Sequence, residues 1–274
     1  MSFLALPYPA IDPVALQLGP FAVKWYGLAY VAGLLLGWQY LKSLLANDRL
    51  WAHGRAPLAV TTADDLFIWV ALGVVLGGRL GHVFLYEPLF FLQYPGEIVK
   101  VWHGGMAFHG GLIGTIVAMW LFARRNGVSV LSCLDLVAAS VPFGLFFGRL
   151  ANFINAEVVG RESTVPWAMV FPGYGDNPRH PSQIYEAVLE GLVTFLILRW
   201  MTHKRGALAH PGLVGGAFLL CYGGFRFLCE FVKHDDYSTA ADRFPVTLGA
   251  LYCIPMVIVG LLLMRWARAT PARA

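Results

Sequence analysis

Polar side chains recur at helical spacing in one apolar stretch of this sequence, and their types could bind an anion. Arg149, Asn152 and Asn155 follow one another at intervals of three residues, so they share one face of a helix. A helix cap would account for one asparagine but not for the whole row. The row therefore predicts a surface that meets something polar, with a guanidinium available for a phosphate or carboxylate.

A second row consists of Tyr222, Arg226 and Glu230, which are spaced by four residues along another apolar stretch. Residues at this spacing are neighbours on a helix surface. One interpretation is an internal salt bridge between Arg226 and Glu230 that locks two helices together. The other is that Arg226 also faces an anionic ligand, since guanidinium binds phosphate through a planar fork of donors. Both interpretations remain open at this point.

Other ionisable residues also lie in apolar stretches, where a charge costs about 3 kcal/mol on insertion scales. Arg79 and His82 share a helical face. Either their long side chains extend to place the polar ends at the membrane surface, or the two residues have a functional role. Asp135 is explained by a helix N-terminus. Glu186 and Glu190 are one turn apart, and Glu186 is the stronger candidate because a dense polar run, 179–185, precedes it.

The sequence offers no metal motif and no reactive cysteine pattern. Its histidines form no H-E-x-x-H or comparable cluster. The four cysteines lie in apolar stretches without CxxC spacing and are expected to be packing thiols. A reaction without a metal or a cofactor is therefore predicted.

The elements that must position these residues are membrane helices. Hydrophobic residues make up 58% of the chain and charged residues 13%, against roughly a quarter charged in soluble domains. Apolar runs long enough to cross a bilayer predict an all-α polytopic membrane protein with about seven transmembrane helices, at 21–45, 66–86, 107–123, 131–153, 183–201, 212–232 and 246–266. The third run is short and glycine-rich, which leaves open a broken or re-entrant start.

The loop charges predict an orientation. Lys and Arg concentrate in the loops on the side of the C-terminus, whereas the opposite loops are longer and acidic. The N-terminus is therefore expected outside the cytoplasm and the C-terminus inside. Two outer segments, 88–106 and 155–182, are expected to form a small periplasmic head, followed by an acidic outer loop at 233–245. Residues 1–274 are interpreted as one membrane-embedded domain, and no basic stripe indicates nucleic-acid binding.

At residues 148–160 the sequence matches the pattern G-R-x-G/A-N-F-x-N-x-E-x-x-G at every specified position. Five further segments match in order: Trp-Tyr-Gly at 25–27, Gly-Arg-Leu-Gly at 78–81, Gly-Met-Ala-Phe-His-Gly-Gly at 105–111, Arg-His-Pro-Ser-Gln-Ile-Tyr-Glu at 179–186 and Tyr-Gly-Gly-Phe-Arg-Phe at 222–227. Together they resemble the bacterial prolipoprotein diacylglyceryl transferases over nearly the whole chain.

The resemblance implies a reaction and a location. Members of that family move the diacylglyceryl group of phosphatidylglycerol onto the lipobox cysteine of a prolipoprotein signal peptide. A thioether forms and glycerol phosphate leaves, as the first step of bacterial lipoprotein modification. The family fold has seven transmembrane helices and a periplasmic head in the inner membrane, with the active site towards the periplasm.

The chemistry of these residues is compatible with that reaction. Its nucleophile is the substrate's own thiol, so the enzyme must bind a phosphate and remove a proton. We expect Arg149 and Arg226 to bind the phosphate, and His109 to be the general base because an imidazole suits proton transfer at neutral pH. The alternative is that His109 merely begins a helix. His180 competes for the base role or shapes the junction between head and helix.

The remaining predicted residues would bind substrate. Tyr26, Asn152 and Asn155 are candidate donors to the head group. Glu157 and Glu230 are expected either to orient the arginines or to stop them from binding phosphate irreversibly. The full predicted substrate-binding set is Tyr26, Asn152, Asn155, Glu157, Gly160, His180, Glu186, Tyr222 and Glu230.

Two other classes of protein have to be weighed against a transferase. An anion transporter or channel would also hold buried arginines and broken helices, but the sequence has no repeated half and its polar residues gather towards the outer side. An intramembrane protease would act on the same signal peptides, but no Ser/His or paired Asp motif lies at membrane depth.

Overall fold

The computed structural model describes residues 6–233 and 248–270. The chain divides into two compact units, one formed by Met1–Leu41 with Asp135–Ala274 and the other by Lys42–Leu134. The acidic loop predicted at 233–245 lies outside the described residues except for its first position.

The described chain is mostly helical. Its strands are β1 (Leu6–Pro7), β2 (Val14–Leu18), β3 (Phe21–Lys24) and β4 (Met169–Val170). Its helices are α1 (Trp25–Leu45), α2 (Thr62–Leu85), α3 (Pro88–Gln93), α4 (Phe108–Asn126), α5 (Val130–Ile154), α6 (Ser182–Glu186), a π-helical segment (Ala187–Val193), α7 (Thr194–Arg205), α8 (Leu213–Glu230) and α9 (Leu248–Ala269).

Each predicted apolar run is helical over most of its length. Within the part of the chain that the structure describes, five helices, α1, α2, α5, α8 and α9, are long and apolar enough to cross a membrane. The predicted start of the first span is wrong, because residues 21–24 form β3, which pairs antiparallel with β2. Gly19, with a φ of +58°, occupies the turn of this hairpin in a conformation that suits glycine.

In the first unit, glycines allow helices to approach closely. A methyl group at Gly33 of α1 would lie 3.0 Å from the Gly144 Cα of α5. A methyl group at Gly260 of α9 would lie 2.7 Å from the Gly216 carbonyl oxygen of α8. Small residues at such crossings let van der Waals contacts hold membrane helices together. These contacts fix α5 and α8, the two helices that carry the arginines.

Asp135 is a structural residue, as predicted, but it caps a helix other than its own. Its carboxylate accepts hydrogen bonds from the backbone N–H groups of Gly212 (2.8 Å) and Gly215 (2.7 Å) at the start of α8. A carboxylate is favourable at a helix N-terminus, where backbone donors lack partners. The cap ties α5 to α8 at the opposite end of α8 from Glu230.

In the second unit, α2 packs against α4 through glycines spaced by four residues. A methyl group at Gly77 would lie 2.7 Å from the Gly114 Cα, and one at Gly81 would lie 2.6 Å from the Gly110 Cα. The break considered for the third apolar run is absent from the described structure, since α4 is continuous from Phe108 to Asn126. Its glycines serve the close approach to α2 and do not interrupt the helix.

Candidate active site

Two arginines and two glutamates from three segments meet in the first unit. Arg149 on α5 places its Nε 3.0 Å from the Glu186 carboxylate at the end of α6, and its Nη2 3.5 Å from Glu190. Arg226 on α8 places its Nη1 2.5 Å from Glu186 and 3.7 Å from Glu190. The rows on α5 and α8 therefore converge on one pair of carboxylates.

The guanidinium groups lie in front of these carboxylates. The side chains of Glu186 and Glu190 are fully buried, whereas Arg149 and Arg226 keep 19% and 18% of their side-chain surface exposed. Buried charges are stable only when they are paired and hydrogen-bonded. The buried carboxylates pair with the arginines, and the exposed part of each arginine side chain remains available to an anion.

Glu230 and Lys233 extend the cluster at the end of α8. Glu230 lies 2.7 Å from Arg226 Nη2, which confirms the salt bridge that its spacing predicts. A methyl group at Gly249 would lie 2.6 Å from the Glu230 carboxyl carbon, so that carboxylate also rests on the first turn of α9. Lys233 Nζ lies 3.7 Å from Glu186, and burial lowers its pKa while that carboxylate opposes the shift.

Glu190 and Lys233 were not among the predicted site residues. Glu190 stands in the π-helical segment Ala187–Val193, a form that is rare and frequent at functional sites. The Thr194 hydroxyl donates to the Leu189 carbonyl, 2.9 Å away, and so satisfies an acceptor in this segment. The available signal was the spacing of Glu190 one turn after Glu186, but the sequence does not reveal the π geometry that accompanies it.

Tyr222, the first member of the α8 row, lies beside the same charges. Its ring stacks on Phe218, with centroids 5.8 Å apart and planes inclined by 13°. Arg149, Arg226 and both buried glutamates lie close enough to interact electrostatically with its hydroxyl. The position of Tyr222 beside these charges is compatible with the predicted contact to substrate.

The signature segment leaves α5 through a strained turn. Ala156 and Val158 adopt φ values of +52° and +56°, which is unusual for any residue with a side chain and more so for valine. Tyr8 donates its hydroxyl to the last carbonyls of the helix, those of Phe153 (2.7 Å) and Ile154 (2.8 Å). Burial raises the pKa of Tyr8, so it stays a neutral donor. Strain of this kind persists where surrounding structure enforces it, commonly at functional sites.

Asn152 and Asn155 lie at this end of α5. Glu157, which was expected to orient an arginine, follows them. Glu157 is exposed and accepts a weak hydrogen bond from Asn152 at 3.4 Å, and it makes no ion pair with an arginine among the described residues. The prediction that Glu157 orients an arginine is therefore wrong, because Glu186 and Glu190 are the carboxylates that pair with both Arg149 and Arg226. Asn152 and Glu157 both lie near the hydroxyl of Tyr26.

Gly160 lies where three backbone segments meet. Its N–H donates to the His180 carbonyl at 3.0 Å, and the next N–H donates to the Val232 carbonyl at 2.9 Å. A methyl group at Gly160 would lie 2.6 Å from each of those oxygens. Gly160 thus joins the signature turn to the segments that precede α6 and follow α8, and it has no side chain to offer a ligand.

His180 belongs to this junction. Its Nδ1 lies 3.2 Å from the Tyr185 hydroxyl, which accepts a hydrogen bond from Trp167 Nε1 at 2.6 Å. The hydroxyl can therefore donate to Nδ1, which places the proton of the neutral ring on Nε2. Burial lowers the pKa of His180 and favours that neutral form. This arrangement agrees with the interpretation that His180 shapes the junction.

Two predicted candidates lie in the second unit. His109 is exposed in the first turn of α4, and its described contact is an edge-on packing against Phe108. Arg79 is buried and donates to the carbonyls of Glu97, Ile98, Gly104 and Gly105. Arg79 therefore has a structural role in holding the segment 97–105, which answers the question that its sequence left open.

Four free cysteines lie in helices, and three of them, Cys133, Cys229 and Cys253, are buried. No group of three or more metal-ligating side chains occurs within residues 6–233 and 248–270. The described site offers guanidinium, ammonium, carboxylate, amide and hydroxyl groups.

Comparison with known proteins agrees with the resemblance noted in the sequence. A family model described as "Prolipoprotein diacylglyceryl transferase" matches residues 13–266. A protein of Rhizobium meliloti (strain 1021) named phosphatidylglycerol–prolipoprotein diacylglyceryl transferase is 48% identical over 272 residues, covering 98% of this chain and 96% of its own. Proteins of the same name from Rhizobium leguminosarum bv. trifolii (strain WSM2304) and Methylocella silvestris are 49% and 48% identical, covering 97% of this chain and 95% and 98% of their own lengths. On the strength of these matches, this chain belongs to the prolipoprotein diacylglyceryl transferase family.

Proposed function

We propose that this protein transfers the diacylglyceryl group of phosphatidylglycerol to the lipobox cysteine thiol of prolipoproteins. A thioether forms and glycerol phosphate leaves. The observation that carries the proposal is the convergence of Arg149 and Arg226, each partly exposed, in front of two fully buried carboxylates. Fixed cations in a low-dielectric site stabilise the charge that develops on a departing phosphate.

The proposed roles follow from these positions. Arg149 and Arg226 bind the phosphate, Glu186 holds both guanidiniums, and Glu230 holds Arg226 against α9. Asn152, Asn155, Tyr26 and Tyr222 would supply hydrogen bonds to the head group. His109 is proposed as the base that removes the thiol proton. Gly160 and His180 act through the junction that positions the signature turn.

The proposed setting is the bacterial inner membrane. Seven helical spans, a periplasmic head built from the segments 88–106 and 155–182, and a single domain over 1–274 are proposed from the distribution of apolar runs and loop charges. In this topology the N-terminus and the active site face the periplasm and the C-terminus faces the cytoplasm. Reporter fusions to each loop test the topology, and a cytoplasmic N-terminus would contradict it.

The decisive experiment is a mass measurement. Purified protein is incubated with phosphatidylglycerol and a peptide that contains a lipobox cysteine, and the peptide is expected to gain the mass of one diacylglyceryl group. A peptide in which serine replaces that cysteine is the control and should gain nothing. Cleavage without mass gain would indicate a protease. Anion flux through liposomes without an acceptor peptide would indicate a transporter.

A further inference from the structure

Of the two fully buried glutamates, Glu190 lies farther from the arginines. Its distances to Arg149 and Arg226 are 3.5 and 3.7 Å, whereas Glu186 contacts the same arginines at 3.0 and 2.5 Å. Glu190 is fully buried, and its Oε1 accepts no hydrogen bond from any described residue. An unpartnered carboxylate oxygen in a buried site costs free energy unless a donor or a proton reaches it.

Among the described residues, the ion pairs of the cluster join three cations, Arg149, Arg226 and Lys233, to three carboxylates, Glu186, Glu190 and Glu230. The phosphodiester of phosphatidylglycerol brings one more negative charge. Excess charge is costly where little water is present to screen it, so binding favours the uptake of a compensating proton.

We propose that Glu190 takes up one proton when the lipid phosphate binds Arg149 and Arg226. This inference rests on the proposed function. Glu190 is the acceptor because its contacts to the arginines are longer than those of Glu186, so the phosphate competes for them first. Glu186 keeps its short contacts and continues to hold both arginines. Glu190 is thus a positioning residue that couples phosphate binding to protonation.

The reaction balances with this step. Binding adds the lipid anion and one proton, and breaks no covalent bond. The lipobox thiol then loses its proton to the base, its sulfur forms a bond to the glycerol carbon, and the bond from that carbon to the phosphate oxygen breaks. The electron pair of that bond leaves with glycerol phosphate. When glycerol phosphate departs, the arginines return to Glu190, which releases its proton.

The groups that face Glu190 set the direction of the pH dependence. Among the described residues they are Arg149 on α5, Glu186 on α6, Tyr222, Arg226 and Cys229 on α8, Cys253 on α9, and Lys233 beyond α8. Phosphate binding weakens the attraction of the two arginines for the ionised form of Glu190 and adds a negative neighbour. The proton is therefore bound more tightly in the complex, and lipid affinity falls as pH rises.

Calorimetry measures the proton directly. Phosphatidylglycerol in detergent micelles is titrated into the full-length protein in two buffers of different protonation enthalpy. We expect the wild type to take up about one proton per lipid bound. Glu190→Gln, which is permanently neutral, should take up almost none. The matched control Glu162→Gln, a half-exposed residue paired with Arg179 outside the cluster, should behave as the wild type. Diacylglycerol, which lacks the phosphate, should cause no uptake.

Kinetics provide a second measurement. The wild-type KM for phosphatidylglycerol should rise by about tenfold per pH unit over the pH range in which Glu190 is ionised in the free protein and protonated in the complex, and the KM of Glu190→Gln should not. Absence of proton uptake in the wild type, or equal uptake in Glu190→Gln, would overturn the inference. Should Glu190→Gln fail to fold, the wild-type proton count decides alone. Mass gain by the wild-type protein is measured separately, so failure of the transferase activity is distinguishable from failure of the coupling.

Discussion

Arg226 contacts carboxylates on two segments, the stretch that carries Glu186 and Glu190 and its own helix α8, and that connection depends on the shape of the guanidinium group. Its Nη1 faces Glu186 while its Nη2 faces Glu230, so two nitrogens of one planar group hold partners in two directions. A lysine ammonium is a point charge on a flexible stem and cannot reproduce this geometry. At the scale of single residues, the site depends on the direction of its donors as well as on its charge.

Replacing Arg226 with lysine tests this dependence. Arg226→Lys keeps the charge that the buried carboxylates need but loses the fork, so the protein should insert and fold while transfer slows by about 100-fold. The measurement is the initial rate of mass gain by the lipobox peptide, with the amount of folded protein determined by gel filtration. Full activity in Arg226→Lys would reduce the role of this residue to that of a point charge.

His109 is tested by its pH profile. His109 is exposed and makes no side-chain hydrogen bond among the described residues, so His109→Gln should leave folding unchanged. If His109 removes the thiol proton, the variant should lose about 100-fold or more in rate at neutral pH and recover part of it at alkaline pH, where the thiol ionises unaided. The rate is measured from pH 6 to about pH 9. Most of the activity with an unchanged profile would exclude His109 as the base.

At the scale of elements, glycines determine how closely the segments around the site can approach. Gly160 brings the signature turn into contact with the segments that precede α6 and follow α8. The glycines of α2 and α4 do the same for two helices of the second unit. The atom nearest to an added methyl group is a backbone atom at Gly160, Gly77 and Gly81, and backbone cannot rotate out of the way as a side chain can.

Gly160→Ala should therefore destabilise the junction. The added methyl group would lie 2.6 Å from the His180 and Val232 carbonyl oxygens, and such overpacking typically costs about 1–3 kcal/mol. Gly144→Ala is the matched control, since a methyl group at this helical position meets no atom within 4 Å. Thermal unfolding in detergent measures both variants. Equal Tm values would show that the junction yields without cost.

At the scale of the whole molecule, burial of titratable groups outside the helices links stability to pH. Burial lowers the pKa of His180, so the unfolded chain binds a proton there more readily than the folded protein. The neutral ring contributes its full stabilisation at pH values above the pKa that His180 has in the unfolded chain. That contribution is lost as the pH falls below this value.

Acid should therefore destabilise the wild-type protein more than His180→Gln. Glutamine cannot titrate and keeps an amide for the Tyr185 hydroxyl. Between about pH 7 and about pH 5, the range in which an ordinary histidine titrates, the Tm of the wild type should fall further than that of the variant. Parallel decreases in the two proteins would assign the acid sensitivity to other groups.

The sequence by itself determined the helical character, the apolar runs and the residues of the two rows. Those follow from composition and spacing, because burial in lipid demands long apolar helices and a helix repeats about every 3.6 residues. The pair Arg226–Glu230 was predictable since both residues lie on one helix. The hairpin at 14–24 was not, because hydropathy does not distinguish an apolar strand from the start of an apolar helix.

Only the tertiary structure decided which charges share a site. Glu190 joins Arg149 across 41 positions of sequence, Glu157 contacts Asn152 instead of an arginine, and Asp135 caps a helix that begins far along the chain. Partners on different elements depend on how the helices pack, and the close glycine contacts that set this packing have no signature in local spacing. A single sequence specifies which residues share a helix face. Which charged residues pair with each other depends on the assembled site, because a charge buried at low dielectric is stable only beside a counter-charge.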